Sequence, residues 1–354
     1  MNNENLEKTE TKNKYDLIQE VETLYFDETV IRESGISLRR LDHNNHRNYF
    51  TVNPETNQLD KIYTSVTTFT KEVMPTNDGL LMWMKNKTAE EQAAILKSSA
   101  TYGTLMDILF NQLIISGEIK DIESQVFKFT MSERLYNIDL DKWTEQLKKD
   151  CLSFAKFIKD YDVKPILVSC PLASDFLGIA GTLDLLCEMN EKILTKTDIK
   201  KGVENVRIKA IIDYKAKIGD MTLKSERNSF YDSECLQLQL YRMLTHEVFH
   251  CEGLSVDGVY NFSPKNWRTN PDYNLKCWNG TGVFQKMKSK FDHLFSIWQI
   301  DNEDSERNVT VIDNSISLKG FETQFRKISL TEYINKNLQE ESGIKQSPEE
   351  KFAF

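Results

Sequence analysis

Two acids sit inside apolar runs of this chain. Asp184 interrupts the run Ile179–Cys187, and Asp213 closes the run Val206–Tyr214 just before Lys215. A carboxylate set among Ile and Leu is costly unless a cation or a hydrogen-bond donor compensates it. Two such acids on neighbouring strands can converge on one divalent ion, and hard carboxylate oxygens suit Mg²⁺ or Mn²⁺. Asp213 and Lys215 are two residues apart, so on a strand they point to the same face. The lysine ammonium then stands beside a metal held by Asp213. There it can orient an attacking water or offset charge developing on a scissile phosphate. The carbonyl of Tyr214 between them is a further candidate ligand. The chemistry this set suggests is metal-assisted phosphodiester hydrolysis.

Downstream, Gln237 and Tyr241 are four residues apart and share one face of a helix. They are placed to contact a phosphate or to brace the lysine; Gln239 points roughly the other way. Each piece is common by itself. Asp-x-Lys recurs by chance where 28% of residues are charged, and Gln-x-x-x-Tyr is frequent in helices whose Tyr is simply core. The ordered set is much rarer: an acid in an apolar strand, a second strand ending in Asp-x-Lys, then Gln-x-x-x-Tyr on a helix.

These residues need elements to hold them. Segments 36–53 and 60–69 read as strands, the second ending in Ser65-Val66-Thr67-Thr68. Thr88-Ala89-Glu90-Glu91 reads as a capping box opening a helix to about 98. Leu105, Ile108, Leu109 and Leu113 then recur at helical spacing from Gly103 to Gly117. An amphipathic helix over 141–160 carries Trp143, Leu147, Cys151, Phe154, Phe157 and Ile158 on one stripe. Strands are expected over 166–170, 178–189 and 206–214, with a polar hairpin-like stretch at 190–205. A helix over 222–249, firm from Asp232, a strand over 255–262 and a helix over 283–300 follow. The last buries Phe284, Met287, Phe291, Leu294, Phe295 and Trp298. Helix, three strands, helix, strand makes an α/β layering with a mixed sheet.

Composition bounds the reading. The 354 residues are 40% hydrophobic, with 14 Gly and 7 Pro, which permits a substantial core. The six cysteines form no C-x-x-C pair, so neither a zinc site nor an iron–sulfur cluster is signalled, and reduced, mostly buried thiols are expected. No apolar run is long enough to span a bilayer and no signal segment opens the chain, so a cytoplasmic protein without a membrane partner is expected. G-x-x-x-x-G-K-[ST] is absent, so no ATP partner is expected. The five histidines make no metal-type pair, and no G-x-S-x-G supports serine hydrolysis. The net charge of −9 argues against a general nucleic-acid coat, yet residues 191–227 hold ten Lys or Arg against six acids.

The ordered motifs resemble those of the PD-(D/E)XK nuclease superfamily, within it the RecB-like and lambda-exonuclease-like branch. Gly181-Thr-Leu-Asp184 looks like its G-x-x-D motif, Asp213-Tyr-Lys215 like its D-x-K motif, and Gln237 to Tyr241 like its Q-x-x-x-Y motif. The resemblance covers about 100–262. Ser65 to Thr68 and the Asn266-Trp267 to Tyr273 stretch resemble phage-type members. It implies an αβββαβ core with a mixed sheet flanked by helices and added helical and strand elaborations. These would fall at 15–99 and 263–335, between polar tails at 1–14 and 336–354. It implies Mg²⁺ or Mn²⁺ at Asp184, Asp213, Tyr214 and Asp107, with Asp184, Asp213 and Lys215 catalytic. Gln237, Tyr241, Lys217 and Lys209 would contact DNA. The activity implied is an exonuclease of recombination, repair or phage DNA processing, in the cytoplasm of a host cell, with a recombination protein or a second copy as partner.

Two positions depart from that pattern. Related sequences often carry a metal-binding His in G-T-x-x-H, and here Gly103-Thr104 leads to Asp107. A Glu is often found on the strand before G-x-x-D, and here Ser169 takes its place. Two other readings stay open: a non-catalytic DNA-binding or structural protein of a phage or mobile element, and a nuclease of RNA or structured DNA, although no RNA-binding module is recognisable.

Overall fold

The computed structural model describes residues 30–31, 37–43, 46–76, 78–135, 138–216, 230–249, 254–302, 308–317 and 320–346. The expected polar tail at 1–14, Lys217 and the segment 222–229 lie outside them.

β-branched and aromatic residues set the strands. These are β1 (Val30–Ile31), β2 (Ser37–His43), β3 (His46–Val52), β4 (Leu59–Ser65), β5 (Lys164–Ser174), β6 (Ile179–Asn190), β7 (Arg207–Tyr214), β8 (Gly258–Pro264) and β9 (Tyr273–Cys277). They form one nine-stranded sheet. The pairs β4–β6 and β7–β8 are parallel and the others antiparallel, so the sheet is mixed. A separate hairpin joins β10 (Asn308–Ser317) to β11 (Gly320–Ser329).

The helices are α1 (Val66–Val73), α2 (Asp78–Lys85), α3 (Ala89–Ser116), α4 (Ile122–Ser132), α5 (Leu140–Tyr161), α6 (Lys196–Lys200), α7 (Asp232–Phe249), α8 (Gly282–Asn302) and α9 (Leu330–Gln346). Two apolar clusters sandwich the sheet. On one face α1, α7 and α8 pack against Leu183, Leu186, Ile211 and Val259. On the other, α3, α4 and α5 pack against Leu185, Cys187, Ile212 and Phe262. The protein is therefore an α/β structure with a mixed sheet flanked by helices.

Several expectations need correction. The strand expected to reach residue 69 stops at Ser65. That hydroxyl accepts the Thr68 N–H and caps α1, so the Thr pair is helical. Thr88 and Glu91 do form the capping box, but the helix does not pause near 98. It runs unbroken through Gly103 to Ser116, where Gly117 ends it at φ 78°. The hairpin-like stretch at 190–205 contains α6. The proposed borders cut real elements: α3 crosses residue 100, β9 extends the sheet beyond 262, and α9 runs into the tail expected from 336. Leu330, Ile334 and Leu338 of α9 cover Leu41, Phe50 and Val52 of β2 and β3, because they repeat every four residues on one helix face.

One feature of the sheet brings the acids and Lys215 together. Strand β5 pairs along nearly the whole of β6, from Ser174 opposite Ile179 to Lys164 opposite Glu188. A strand has only one other edge. On it β4 pairs with Ile179 and Ala180, while β7 pairs from Leu185 onward. Between Ala180 and Leu185 that edge is a fork, with β4 diverging on one side and β7 on the other.

Candidate active site

The fork holds Gly181-Thr-Leu-Asp184. Leu183 and Leu186 belong to one apolar cluster and Leu185 to the other, so strict alternation breaks at Asp184. Strand β5 breaks with it. Leu167 and Cys170 pack on one face and Val168 on the other. The flanking pairs Val168 with Leu185 and Cys170 with Leu183 put Ser169 across from Asp184. Ser169 has φ 50°, a left-handed conformation that is costly for a residue with a Cβ. The paired irregularity turns the Asp184 carboxylate toward β7, where its Oδ2 accepts the Tyr214 N–H at 2.7 Å. A side chain thus takes the place of a backbone carbonyl in the ladder.

Asp213 and Lys215 leave the end of β7 on the face covered by α7. The Lys215 N–H donates to the Phe262 carbonyl at 2.8 Å, which continues the β7–β8 pairing and fixes the lysine backbone. Its ammonium lies 2.9 Å from Asp213 Oδ1 and 2.7 Å from Oδ2. It also donates to Gln237 Oε1 at 3.0 Å, and Gln237 in turn bonds the Tyr241 hydroxyl. The Asp-x-Lys and Gln-x-x-x-Tyr residues are therefore one hydrogen-bonded unit. Gly181 makes room for it. A Cβ there would come within 2.8 Å of Tyr241 Cε1 and 2.9 Å of Val66 Cγ2.

Asp107 enters from the opposite face of the sheet, on α3. Gly103, one turn earlier, faces the chain beyond Lys215, where a Cβ would stand in ordinary contact at 3.7 Å from Ala216 Cβ. Acids from both faces therefore meet at the fork. Burial, then repulsion from Asp213, pushes Asp184 up to about 7, with Lys215, the Tyr214 N–H and Arg47 pulling the other way. Burial and repulsion from Asp184 and Asp213 likewise hold Asp107 well above the usual carboxylate range, opposed by Arg47 and Lys215. Burial alone would lower Lys215, but Asp213 and Asp184 more than offset it and raise it. Burial, Tyr49 and the two acids hold Tyr241 well above the usual phenol value.

The remaining expectations divide. Lys209 is not brought to the cluster. It lies four residues back along β7, roughly 13 Å at strand spacing, opposite Glu188. Arg207, counted in the basic stretch, is bound to Glu188 and Asp162. Other contributors escaped the sequence reading. Tyr49 and Thr182 bond hydroxyl to hydroxyl at 2.8 Å across the fork, with Arg40 Nη1 3.5 Å from the same Thr182 oxygen. Arg47 of β3 acts electrostatically on both Asp107 and Asp184. Asn261 donates to Asp213 Oδ2 at 2.5 Å. It could have been found by the signal that revealed the acids, a polar residue inside the apolar run Val259–Phe262. Tyr49 and Arg47 carry no comparable mark.

Among the described residues no three His, Cys, Asp or Glu side chains are arranged ready to hold an ion. The donor chemistry nevertheless fits a hard divalent cation. Three carboxylates repel one another in a poorly solvated fork, and Lys215 supplies positive charge against Asp213. Comparison with known proteins gives no match, either to a family model or to a curated protein. No helix among the described residues is long and apolar enough to cross a membrane.

Proposed function

We propose that this chain is a metal-dependent DNA nuclease on a PD-(D/E)XK-type core, acting as an exonuclease in recombination, repair or phage DNA processing. One observation carries the reading. Asp107, Asp184, Asp213, Lys215, Gln237 and Tyr241, drawn from α3, β6, the end of β7 and α7, meet at one fork of the sheet. Mutually repelling acids tied to a lysine have no evident use in a purely structural core. Asp184, Asp213, Asp107 and the Tyr214 carbonyl would hold Mg²⁺ or Mn²⁺. Such an ion, when bound, supplies an activated water and a charge for the phosphate oxygens. Lys215 is held by Asp213 and Gln237 where charge would develop on the phosphate. Tyr241 fixes Gln237, and so the lysine. The exposed Lys192, Lys196, Lys200 and Lys201, at the far end of β6 and β7, would meet the DNA backbone away from the cut.

The test is cleavage of end-labelled linear double-stranded, single-stranded and circular DNA with Mg²⁺, Mn²⁺ or EDTA, beside Lys215→Ala. Metal-dependent loss of label from linear DNA only, absent in the variant, is the expected result. Cutting of the circle would make the protein an endonuclease. A second reading, a non-catalytic DNA-binding protein, is favoured by the hydrogen bonds that already occupy both Asp213 oxygens. Binding of DNA without cleavage of any substrate would establish it.

A further inference from the structure

Behind Asp213 a chain of polar groups runs through an apolar cluster. Asn261 lies beside Asp213 in the parallel β7–β8 register and is fully buried. Its Nδ2 donates to Asp213 Oδ2 at 2.5 Å, and its Oδ1 accepts the Trp278 Nε1–H at 2.7 Å. Trp278 follows β9, is 3% exposed, and packs in the same cluster as Ile211 and Val259. An indole N–H can only donate. Asn261 must therefore turn its oxygen to Trp278 and its NH₂ to Asp213. Without the indole the amide is free to turn over, which would set its oxygen against the carboxylate. Apolar residues of the same shape would fill this space at lower cost. The polar chain ends on one atom, Asp213 Oδ2.

We propose that Asn261 and Trp278 are positioning residues that lock the Asp213 carboxylate, fixing Oδ2 and so the direction in which Oδ1, which Lys215 also holds, would face a divalent cation. This rests on reading Asp213 as a metal ligand. Trp278 acts only through Asn261, and Asn261 only through Asp213.

The experiment measures Mn²⁺ binding to the full-length protein by electron paramagnetic resonance of the free ion. It compares wild type, Trp278→Phe, Asn261→Leu, the double variant and Asp213→Asn. Trp278→Phe keeps an aromatic ring in the cluster while removing the N–H with the smaller ring of the indole, so it tests the idea even if Asn261→Leu folds poorly. Expected losses are about 10-fold for Trp278→Phe and roughly 10–100-fold for Asn261→Leu. The double variant should be no weaker than Asn261→Leu alone, since the two act in series. Excess Mn²⁺ should restore the turnover of the single variants, and DNA affinity in EDTA should not change. Wild-type Mn²⁺ binding in Trp278→Phe and Asn261→Leu, with binding lost in Asp213→Asn, would overturn the positioning role alone. Additive losses in the double variant would also overturn it. If Asp213→Asn binds Mn²⁺ as wild type does, Asp213 is not a ligand, and the metal reading falls together with the relay.

Discussion

At the residue scale the site is defined by charges that have few places to go. Asp184 sits at about 7 in the folded protein, against an ordinary carboxylate value of about 3.9. Between those values the folded chain holds a proton that the unfolded chain has released. Stability without metal therefore falls as pH rises from about 4 through 7. Urea midpoints in EDTA should be higher at pH 5 than at pH 8, and Asp184→Asn should flatten the slope. Asp107 shifts in the same direction, so some slope should persist in that variant and vanish further with Asp107→Asn. An unchanged slope in Asp184→Asn would mean that the acid is solvated. Lys215→Ala should lower turnover by roughly 100-fold or more while leaving DNA affinity nearly intact. A loss mainly in affinity would make the lysine a phosphate contact instead. Asp184, Asp213 and Lys215 were legible in the sequence because ionisable residues inside apolar strands are conspicuous. Arg47, Tyr49 and Thr182 were not, because an Arg, a Tyr or a Thr in a strand is ordinary until the topology brings the strand to the fork.

At the element scale, the precision of the site comes from helix side chains seated against strand backbone. Gly181 leaves room on β6 for the Tyr241 ring, whose hydroxyl meets Gln237, and for the Val66 methyl. Gly181→Ala forces the ring of Tyr241 and the methyl of Val66 to move, at about 1–3 kcal/mol. The expected signature is a modest drop in thermal midpoint with a disproportionate loss of turnover, because Gln237 and Lys215 shift with the ring. Equal turnover per folded molecule would show that the unit tolerates the displacement. Periodicity found α5, α7 and α8 well, since each has a broad apolar stripe. It divided α3 at Gly103, where local propensity suggests a break. In the folded protein Tyr102, Leu105 and Met106 on either side of that glycine are buried, and this tertiary packing carries the helix through it. The fork itself had no sequence signature, because it arises from which strand edges meet and not from any one strand.

At the scale of the whole molecule, the flanking segments are part of the same sheet. Strands β2 to β4 continue it and bring Tyr49 and Arg47 to the site, while α9 covers β2 and β3 from outside. Ile334, fully buried in that contact, should cost about 2–5 kcal/mol as Ile334→Ala. Lowered activity beyond the loss of folded protein would show that α9 steadies β3. Hydropathy alone placed these segments as wrappings because β4, which joins β2 and β3 to the sheet, does so only through Thr64 and Ser65, against strand β6 far along the chain. The direction of β6 and β7 has a practical consequence. From Asp184 both strands run away from the fork, and the excursion between them, residues 191–206, begins roughly 20 Å beyond it at strand spacing. A fluorescent reporter placed there would leave the acids and Lys215 untouched while sensing DNA that Lys192, Lys196, Lys200 and Lys201 would meet, whereas the same graft at the Asp175–Gly178 turn would strain the strand that carries Asp184.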